Sequence, residues 1–462
     1  MSRIYISAAH KSSGKTTIAL GLCAAYQQQG LTIQPFKKGP DYIDPMWLGR
    51  AAGRSCHNLD FYTMDKDEIM DTVSRHSKDV DLSIIEGNKG LYDGLDLDGS
   101  NSNAALAKLL DTPVVLVLDA RGMTRGIAPL ILGYQAFDRD IKIAGVILNQ
   151  LGGSRHEAKL RAVIEHYTDA VVVGAVSRNS DLEITERHLG LIPSNENQHA
   201  DSYIETISQL IKDQVDLDAL RKIATTAKPL ATPATVNDIQ STTLPALKIG
   251  IAQDAAFGFY YADDLDAFEQ HNAKLIPIDM IRDPGLPDID GLFIGGGFPE
   301  SNLQKLEANN SMLQSVAEMI ENGLPVYAEC GGLMYLCRSL SWKVQTCKMV
   351  GVIPADCIMN ERPQGRGYVR MQQTDNFLWA TLETGNDIAA HEFHYSSLQN
   401  LETQNKFAYN ILRGTGIDGK NDGIIYKNLL ANYCHQRHSR QNPWITQFLE
   451  FVSSCKNKAA TN

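Results

Sequence analysis

The chain of 462 residues has no excess of positive charge, no paired-cysteine motif and no long apolar run. Each absence narrows what it does. Lys and Arg number 43 against 54 Asp and Glu, giving a formal net charge of −11. A nucleic-acid or anionic-membrane partner therefore has no electrostatic support, and an anionic substrate would need local Lys or Arg to hold it. The eight cysteines (Cys23, Cys56, Cys330, Cys337, Cys347, Cys357, Cys434 and Cys455) are scattered without a CxxC pair. Neither zinc nor a disulfide framework is expected, and most of them read as small buried hydrophobes. The apolar stretch Ile4 to Ala9 is too short for a signal peptide, and no run approaches a membrane span. The expected compartment is the cytoplasm.

What is present is ordinary for a soluble globular protein, with 43% hydrophobic and 21% charged residues. The length suggests roughly two to four domains. Short apolar runs alternate with helical patterns through the first half. Arg3 to Ser7, Leu82 to Glu86, Val114 to Asp119 and Ala144 to Asn149 read as buried strands, and Lys15 to Gln29 reads as a helix ending at Gly30. Near-continuous apolar strands fit a parallel sheet covered on both faces. Glu86, Asp119 and Asn149 close their strands where open α/β sheets place ligands. From Ile223 to Ala246 the pattern gives way to Ala, Thr, Pro and Ser, a linker composition. Order returns with Leu247 to Ala252, and α/β alternation resumes through Gly291 to Gly297 and Leu324 to Glu329. Two domains of similar size are expected, at 1–222 and 247–452, with a linker at 223–246 and a tail at 453–462.

The run Lys11-Ser12-Ser13-Gly14-Lys15-Thr16-Thr17 lies directly after the first strand and before the first helix. Small residues there let backbone N–H groups wrap phosphates, Lys15 can reach the terminal phosphates and Thr16 offers a hydroxyl to magnesium. Ala9 stands where the usual loop opens with glycine, so Gly14 to Thr17 carries the signal. Pro35-Phe36-Lys37-Lys38-Gly39-Pro40-Asp41-Tyr42-Ile43-Asp44-Pro45 makes a poor core and a good polar loop; its composition serves a solvated turn as well as a site. Glu86-Gly87-Asn88-Lys89-Gly90-Leu91-Tyr92-Asp93-Gly94 is more specific. An acid ending a buried strand, followed by glycines and a second acid, is similar to the magnesium side of phosphate-loop enzymes.

In the second half, Val326-Tyr327-Ala328-Glu329-Cys330-Gly331-Gly332 reads as strand, sharp turn and helix. A nucleophile on such a turn is exposed above the sheet, with the next backbone N–H facing the oxyanion that forms on attack at a carbonyl. Gly295-Gly296-Gly297 offers further N–H groups for that oxyanion. Cys330 needs a base, and His435, after the strand pattern Leu429 to Tyr433, is the candidate, with His438 left open as the alternative. His391 and His394 are three apart in a strand pattern and point to opposite faces, which argues against a shared zinc.

Taken in order, Ser12 to Thr17, Lys38 to Pro45, Glu86 to Gly94, Glu329 to Leu336, Arg362-Pro363-Gln364-Gly365-Arg366-Gly367-Tyr368 and His391 to Ser396 carry a resemblance along the whole chain. It resembles the cobyrinate a,c-diamide synthases, glutamine-dependent amidotransferases of tetrapyrrole synthesis. The resemblance implies an α/β chain with an N-terminal phosphate-loop, dethiobiotin-synthetase-like parallel-sheet domain and a C-terminal class I glutamine amidotransferase domain. It implies ATP and Mg2+, with glutamine and an anionic tetrapyrrole as substrates. Cys330 and His435 would open glutamine without a third acid, since Gln436-Arg437 follows the histidine, and Gly297 and Gly331 would form the oxyanion hole. Lys11, Ser12, Ser13, Gly14, Lys15, Thr16 and Thr17 would bind the nucleotide, and Thr16, Asp41 and Glu86 the metal. Asp44, Glu86 and Asp93 would serve phosphoryl transfer, and Lys38, Asp41, Tyr42 and Lys89 would meet the acceptor. Rival acceptors are sirohaem and nickel-sirohydrochlorin, and a cobyric-acid-type amidotransferase shares both domain types. A rival of another class is a phosphate-loop ATPase switch with a vestigial glutaminase domain. The oligomeric state stays open, a homodimer being one option.

Overall fold

The computed structural model describes every residue except 179–185, 188–189, 198, 231–244, 381–386, 403–405 and 462. The chain divides into two compact units, Met1–Val236 and Asn237–Asn462.

In the first unit the apolar runs become seven strands: β1 Arg3–Ala8, β2 Ile33–Lys38, β3 His57–Leu59, β4 Leu82–Glu86, β5 Val114–Asp119, β6 Ile143–Leu151 and β7 Val172–Ser177. They form one sheet in the order β3-β2-β4-β1-β5-β6-β7, every neighbouring pair parallel. All residues of β1 and β4 are buried, including the polar Arg3, Ser7, Ser83 and Glu86, as strands in a parallel sheet covered on both faces are. Register sets Lys37 of β2 beside Glu86 of β4, and Ile6 of β1 on the other side of Glu86. The helix Lys15–Gln28 starts directly after the phosphate loop, and Gly30 leaves it with φ of 83°. The helix Leu217–Ala224 reaches two residues into the segment expected as linker. Asp216 caps it by accepting from Ala219 N–H at 2.9 Å, and Leu220 and Ala224 are buried on one face. Residues 231–244 of that segment lie outside the described residues.

The second unit is built on β8 Leu247–Ala252, β9 Ala273–Ile278, β10 Gly291–Ile294, β11 Val326–Glu329, β12 Gly365–Gln373, β13 Ile388–His394, β14 Lys406–Arg413, β15 Asn421–Tyr426 and β16 Leu429–Asn432. The sheet order is β9-β8-β10-β11-β16-β15-β14-β12-β13. Its first five strands run parallel, and the remaining four continue antiparallel. The strand over Gly291–Ile294 ends where the glycine run begins. Gly296–Gly297 pairs instead, antiparallel, with Phe257–Phe259. At the break the Gly295 N–H donates to the Tyr260 hydroxyl at 3.0 Å, and a Cβ there would lie 2.4 Å from the Tyr260 ring, so only glycine fits.

The segment expected as a C-terminal tail is helical, part of Trp444–Thr461. Trp444, Ile445, Phe448, Leu449 and Val452 recur at helical spacing and are buried, so the helix docks rather than frays. Phe448 meets the rings of Phe268, Tyr327 and Trp379 at centroid distances of 6.4, 6.4 and 5.4 Å. All eight cysteines are free, and seven are buried, Cys455 being the half-buried exception. Among the described residues no helix is long and apolar enough to cross a membrane. Truncation of Phe448 to alanine is expected to cost about 3–5 kcal/mol of stability in this unit. Chemical denaturation followed by tryptophan fluorescence checks it, because Trp342, Trp379 and Trp444 of the four tryptophans belong to this unit.

Candidate active sites

The phosphate loop bridges the carboxyl end of β1 and the helix Lys15–Gln28. Lys11 and Ser12 are exposed, Ser12 at φ of 64°, whereas Ser13 is buried and donates its hydroxyl to His10 O at 2.8 Å. Gly14 has φ of 90° and no room for a side chain: a Cβ would sit 2.1 Å from the Asn149 amide nitrogen. That amide donates to Ser13 O at 2.9 Å and ties the loop to the end of β6. Lys15 is buried, and burial, reinforced by the Lys37 charge, lowers its pKa to about 8. Thr17 is half-buried beside it.

Thr16 joins the acids. Its hydroxyl donates to Glu86 Oε1 at 2.7 Å and lies 3.3 Å from Asp44 Oδ2. At the centre is Lys37, whose ammonium donates to Asp44 at 2.5 Å and to Glu86 at 2.9 Å, with Asp41 at 4.0 Å. Burial alone would depress Lys37, but Asp44, Glu86 and Asp41 outweigh it and hold the group above the usual lysine range. Desolvation raises Glu86, whose Oε2 is buried without a hydrogen-bond partner. Asp41 accepts the N–H groups of Ile43 and Asp44 and is pushed up to about 7 by desolvation and by the Asp44 charge. Tyr42, buried, precedes the helix Ile43–Ala52. Hard oxygens, one of them unsatisfied, are a donor set that fits Mg2+.

Lys38 is buried beside this cluster, lowered to about 8 by desolvation and by the neighbouring Lys89 and Lys37 charges. Lys89 itself is exposed, with φ of 41°, and Asp93 is exposed and accepts Gly90 N–H at 2.8 Å. Asp93 also lies close enough to act electrostatically on Lys15. The expected phosphate, metal and acceptor residues thus gather at one end of one sheet.

The thiol site stands at the carboxyl ends of β11 and β16, adjacent and parallel. Ala328 pairs with Ala431, Glu329 with Asn432, and Cys330 N–H donates to Asn432 O at 2.7 Å. Cys330 sits at φ of 47° and ψ of −98°, a strained conformation for a side-chain-bearing residue, and the helix Gly331–Leu336 follows at once. Burial pushes its thiol well above the ordinary cysteine range, and the charges of Glu300 and Glu329 add to the shift. A Cβ on Gly331 would lie 3.0 Å from Gly297 N, so the two expected oxyanion-hole glycines are packed backbone to backbone.

His435 is held on several sides. Its backbone exchanges hydrogen bonds with His391, N to O at 2.7 Å and O to N at 3.2 Å, and the two rings stack at 4.9 Å. A Cβ on Gly296 would stand 2.7 Å from His435 Cε1. Asp422 accepts Tyr433 N–H at 3.0 Å and Cys434 N–H at 2.9 Å, fixing the approach. His435 Nδ1 lies 3.3 Å from Glu329 Oε2. His438 is turned to other partners: its Nδ1 accepts Ile445 N–H at 3.3 Å, its ring meets His271, and burial lowers its pKa to about 3. His391 and His394 have separate neighbours, His391 facing Tyr261 and His435 while His394 stacks on Tyr433 at 3.9 Å.

Residues 248–443 match the family model of a CobB/CobQ-like glutamine amidotransferase domain, and residues 2–186 match an AAA domain. A cobyrinate a,c-diamide synthase of Magnetococcus marinus is 44% identical over 437 residues, spanning 94% of this chain and 93% of that protein. Proteins of the same name from Methanosarcina acetivorans and Archaeoglobus fulgidus are 42% and 38% identical, each spanning 94% of this chain and 92% and 93% of their own lengths. The chain belongs to the cobyrinate a,c-diamide synthase family. It is a glutamine-hydrolysing ligase that uses a nucleotide.

Lys37, Glu329 and His391 take part in these sites without having been singled out among the candidate site residues. Lys37 was read as part of a polar loop, whereas Ile33–Lys38 is a fully buried strand. Its signal was the pairing of two lysines with two aspartates at a strand end. Nucleotide binding to this family member is expected to take up protons above pH 8. A bound polyphosphate raises the Lys15 pKa from about 8 back toward the lysine range, so affinity falls as pH rises through about 8. Calorimetry in buffers of different ionisation enthalpy measures the uptake, which Lys15→Arg, permanently charged, should diminish.

Proposed function

We propose that the enzyme amidates the a and c side-chain carboxylates of cobyrinate, using ammonia released from glutamine and activating each carboxylate with ATP as an acyl phosphate. The observation that carries this reading is the strained Cys330 turn packed against the Gly297 backbone in a chain that also holds an acid-rimmed phosphate loop. Residues 1–222 are the part assigned to activation, and 247–452 the part assigned to glutamine hydrolysis.

A free carboxylate is inert to ammonia because its carbon is electron-rich and oxide is no leaving group. In the activation step an acceptor carboxylate oxygen attacks the terminal phosphorus of ATP and ADP departs. Lys15 and the loop N–H groups offset the charge that spreads onto the phosphate oxygens. Thr16, Asp44, Asp41 and Glu86 are the groups that would hold Mg2+, which when bound supplies charge neutralisation at the phosphates. Lys37 keeps these acids from repelling one another. Lys38 and Lys89 form the cationic rim toward which a polycarboxylate would be drawn.

In the hydrolytic step the Cys330 sulfur attacks the amide carbon of glutamine while His435 takes the thiol proton, through Nε2 if Nδ1 faces Glu329. The oxyanion forms between the Gly297 and Gly331 N–H groups. The proton passes to the departing ammonia, leaving a thioester that water cleaves to glutamate. Because burial pushes the free thiol up, attack depends on the base at the moment of reaction. Ammonia then displaces phosphate from the acyl carbon.

Cys330→Ala is expected to abolish glutamine-dependent amidation and to keep amidation driven by high free ammonia. Side-by-side assays with the two nitrogen sources check it, and loss of both in a folded variant would sink this division of labour. Lys89→Ala is expected to raise KM for the acceptor and leave KM for ATP and glutamine nearly unchanged. The lost charge-assisted contact is on the order of 1.5–3 kcal/mol, or roughly tenfold to a hundredfold in kcat/KM. Steady-state kinetics with cobyrinate, sirohaem and nickel-sirohydrochlorin read both the effect and the identity of the acceptor.

A further inference from the structure

The residue before the nucleophile is an acid, Glu329, and its carboxylate is buried, with 3% of the side chain exposed. Strand geometry explains where it goes. Successive side chains of β11 alternate faces, so Tyr327 and Glu329 share one face and meet across the strand end. Tyr327 donates its hydroxyl to Glu329 Oε1 at 2.6 Å, and Gln436 N–H donates to the same oxygen at 2.9 Å. The network closes on itself, since Gln436 Nε2 donates to Tyr327 Oη at 2.8 Å and to Tyr409 Oη at 3.0 Å. One carboxylate oxygen is therefore committed to two donors that cannot move without disturbing β11 or the segment after β16. The other oxygen, Oε2, is aimed at His435 Nδ1 at 3.3 Å.

We infer that Glu329 is the positioning residue for His435, so that the glutaminase centre is a Cys–His–Glu arrangement whose acid comes from the position before the nucleophile. The inference rests on the assignment of Cys330 and His435 proposed above. A sequence search for the third group looks downstream of the histidine, where Gln436 and Arg437 stand and no acid is found. The fold supplies it from the neighbouring strand instead, because β11 and β16 end level, with Glu329 opposite Asn432. The carboxylate accepts the Nδ1 proton and thereby selects the tautomer with a bare Nε2, the form able to take a thiol proton. It also stabilises the imidazolium that results. His391 stacked on one side and Gly296 against Cε1 restrict ring rotation, so Glu329 decides the tautomer of a ring whose plane is already set.

Glu329→Gln separates this role from a structural one. The glutamine carbonyl can still accept from Tyr327 and Gln436, while its NH2 group faces Nδ1 and forces that atom to become an acceptor. The ring proton then sits on Nε2, where it blocks general-base action. The expected result is a loss of roughly 10²–10⁴-fold in glutaminase kcat, by analogy with triads whose acid is replaced by its amide. KM for glutamine should change less than about threefold, and ammonia-driven amidation should be retained. Nitrogen NMR of histidine-labelled protein, with His435 assigned by its absence in His435→Gln, should show Nδ1–H in the parent and Nε2–H in Glu329→Gln. Labelling of Cys330 by a diazoketone analogue of glutamine should slow in parallel with kcat. A Glu329→Gln enzyme with parental kcat would overturn the inference, as would an unchanged His435 tautomer with reduced kcat. Should Glu329→Gln fail to fold, the parent spectrum alone decides, since His435 found with its proton on Nε2 refutes the role. Retention of glutaminase activity by Cys330→Ala or His435→Gln would instead overturn the underlying Cys–His assignment and the inference with it. Loss in those variants with a normal Glu329→Gln removes only the inference.

Discussion

A parallel sheet covered on both faces leaves reactive polar groups one place to converge, the carboxyl ends of its strands. Both units obey this constraint, and both sites follow from it. In the first, β1 delivers the phosphate loop, β2 delivers Lys37 and Lys38, β4 ends in Glu86 and β6 brings Asn149 against the loop. In the second, β11 delivers Glu329 and Cys330 while β16 leads into His435. Strand register is the quantity that matters. A shift of one residue between β11 and β16 would turn every side chain of one strand to the opposite face and part Glu329 from His435.

The two sites handle charge in opposite ways. The phosphate-loop site holds one ammonium among three carboxylates, so Lys37 offsets only part of their charge, and desolvation with the Asp44 charge raises Asp41 and Glu86. At an effective dielectric near 20, one such contact at 4 Å is worth about 4 kcal/mol, comparable with the desolvation it offsets. Removing Lys37 would leave Glu86 and Asp44 facing each other uncompensated. At the thiol site burial, with the charges of Glu300 and Glu329, pushes the Cys330 thiol up instead of lowering it.

Much of this was legible in the sequence. Leu82–Glu86, Val114–Asp119 and Leu247–Ala252 are strands with the bounds their apolar runs suggested, since a fully buried strand has nothing to read but hydrophobicity. Glycines next to reactive residues marked both turns. The glycine run after β10 marks the strand end, and the close approach of the Tyr260 ring leaves no room for a side chain at Gly295. The C-terminal helix was underestimated because Ser453, Ser454 and the lysines after them resemble a tail, whereas Phe448 and Val452 set the docking. The contact of Lys37 with Glu86 and the opposition of Glu329 to His435 were invisible for a different reason: both depend on which strands become neighbours, and no local pattern encodes that adjacency.

The contact between Gly14 and Asn149 limits which residues either position can hold. The asparagine amide occupies the volume that any Cβ at position 14 would need, and the same amide holds the loop backbone at Ser13. Neither position can drift alone. A larger residue at 14 is barred while the amide stands there, and a smaller one at 149 unfastens the loop before any replacement could use the space. Gly14 is constrained twice, by this amide and by its own φ of 90°, so a change at 149 alone would not free position 14.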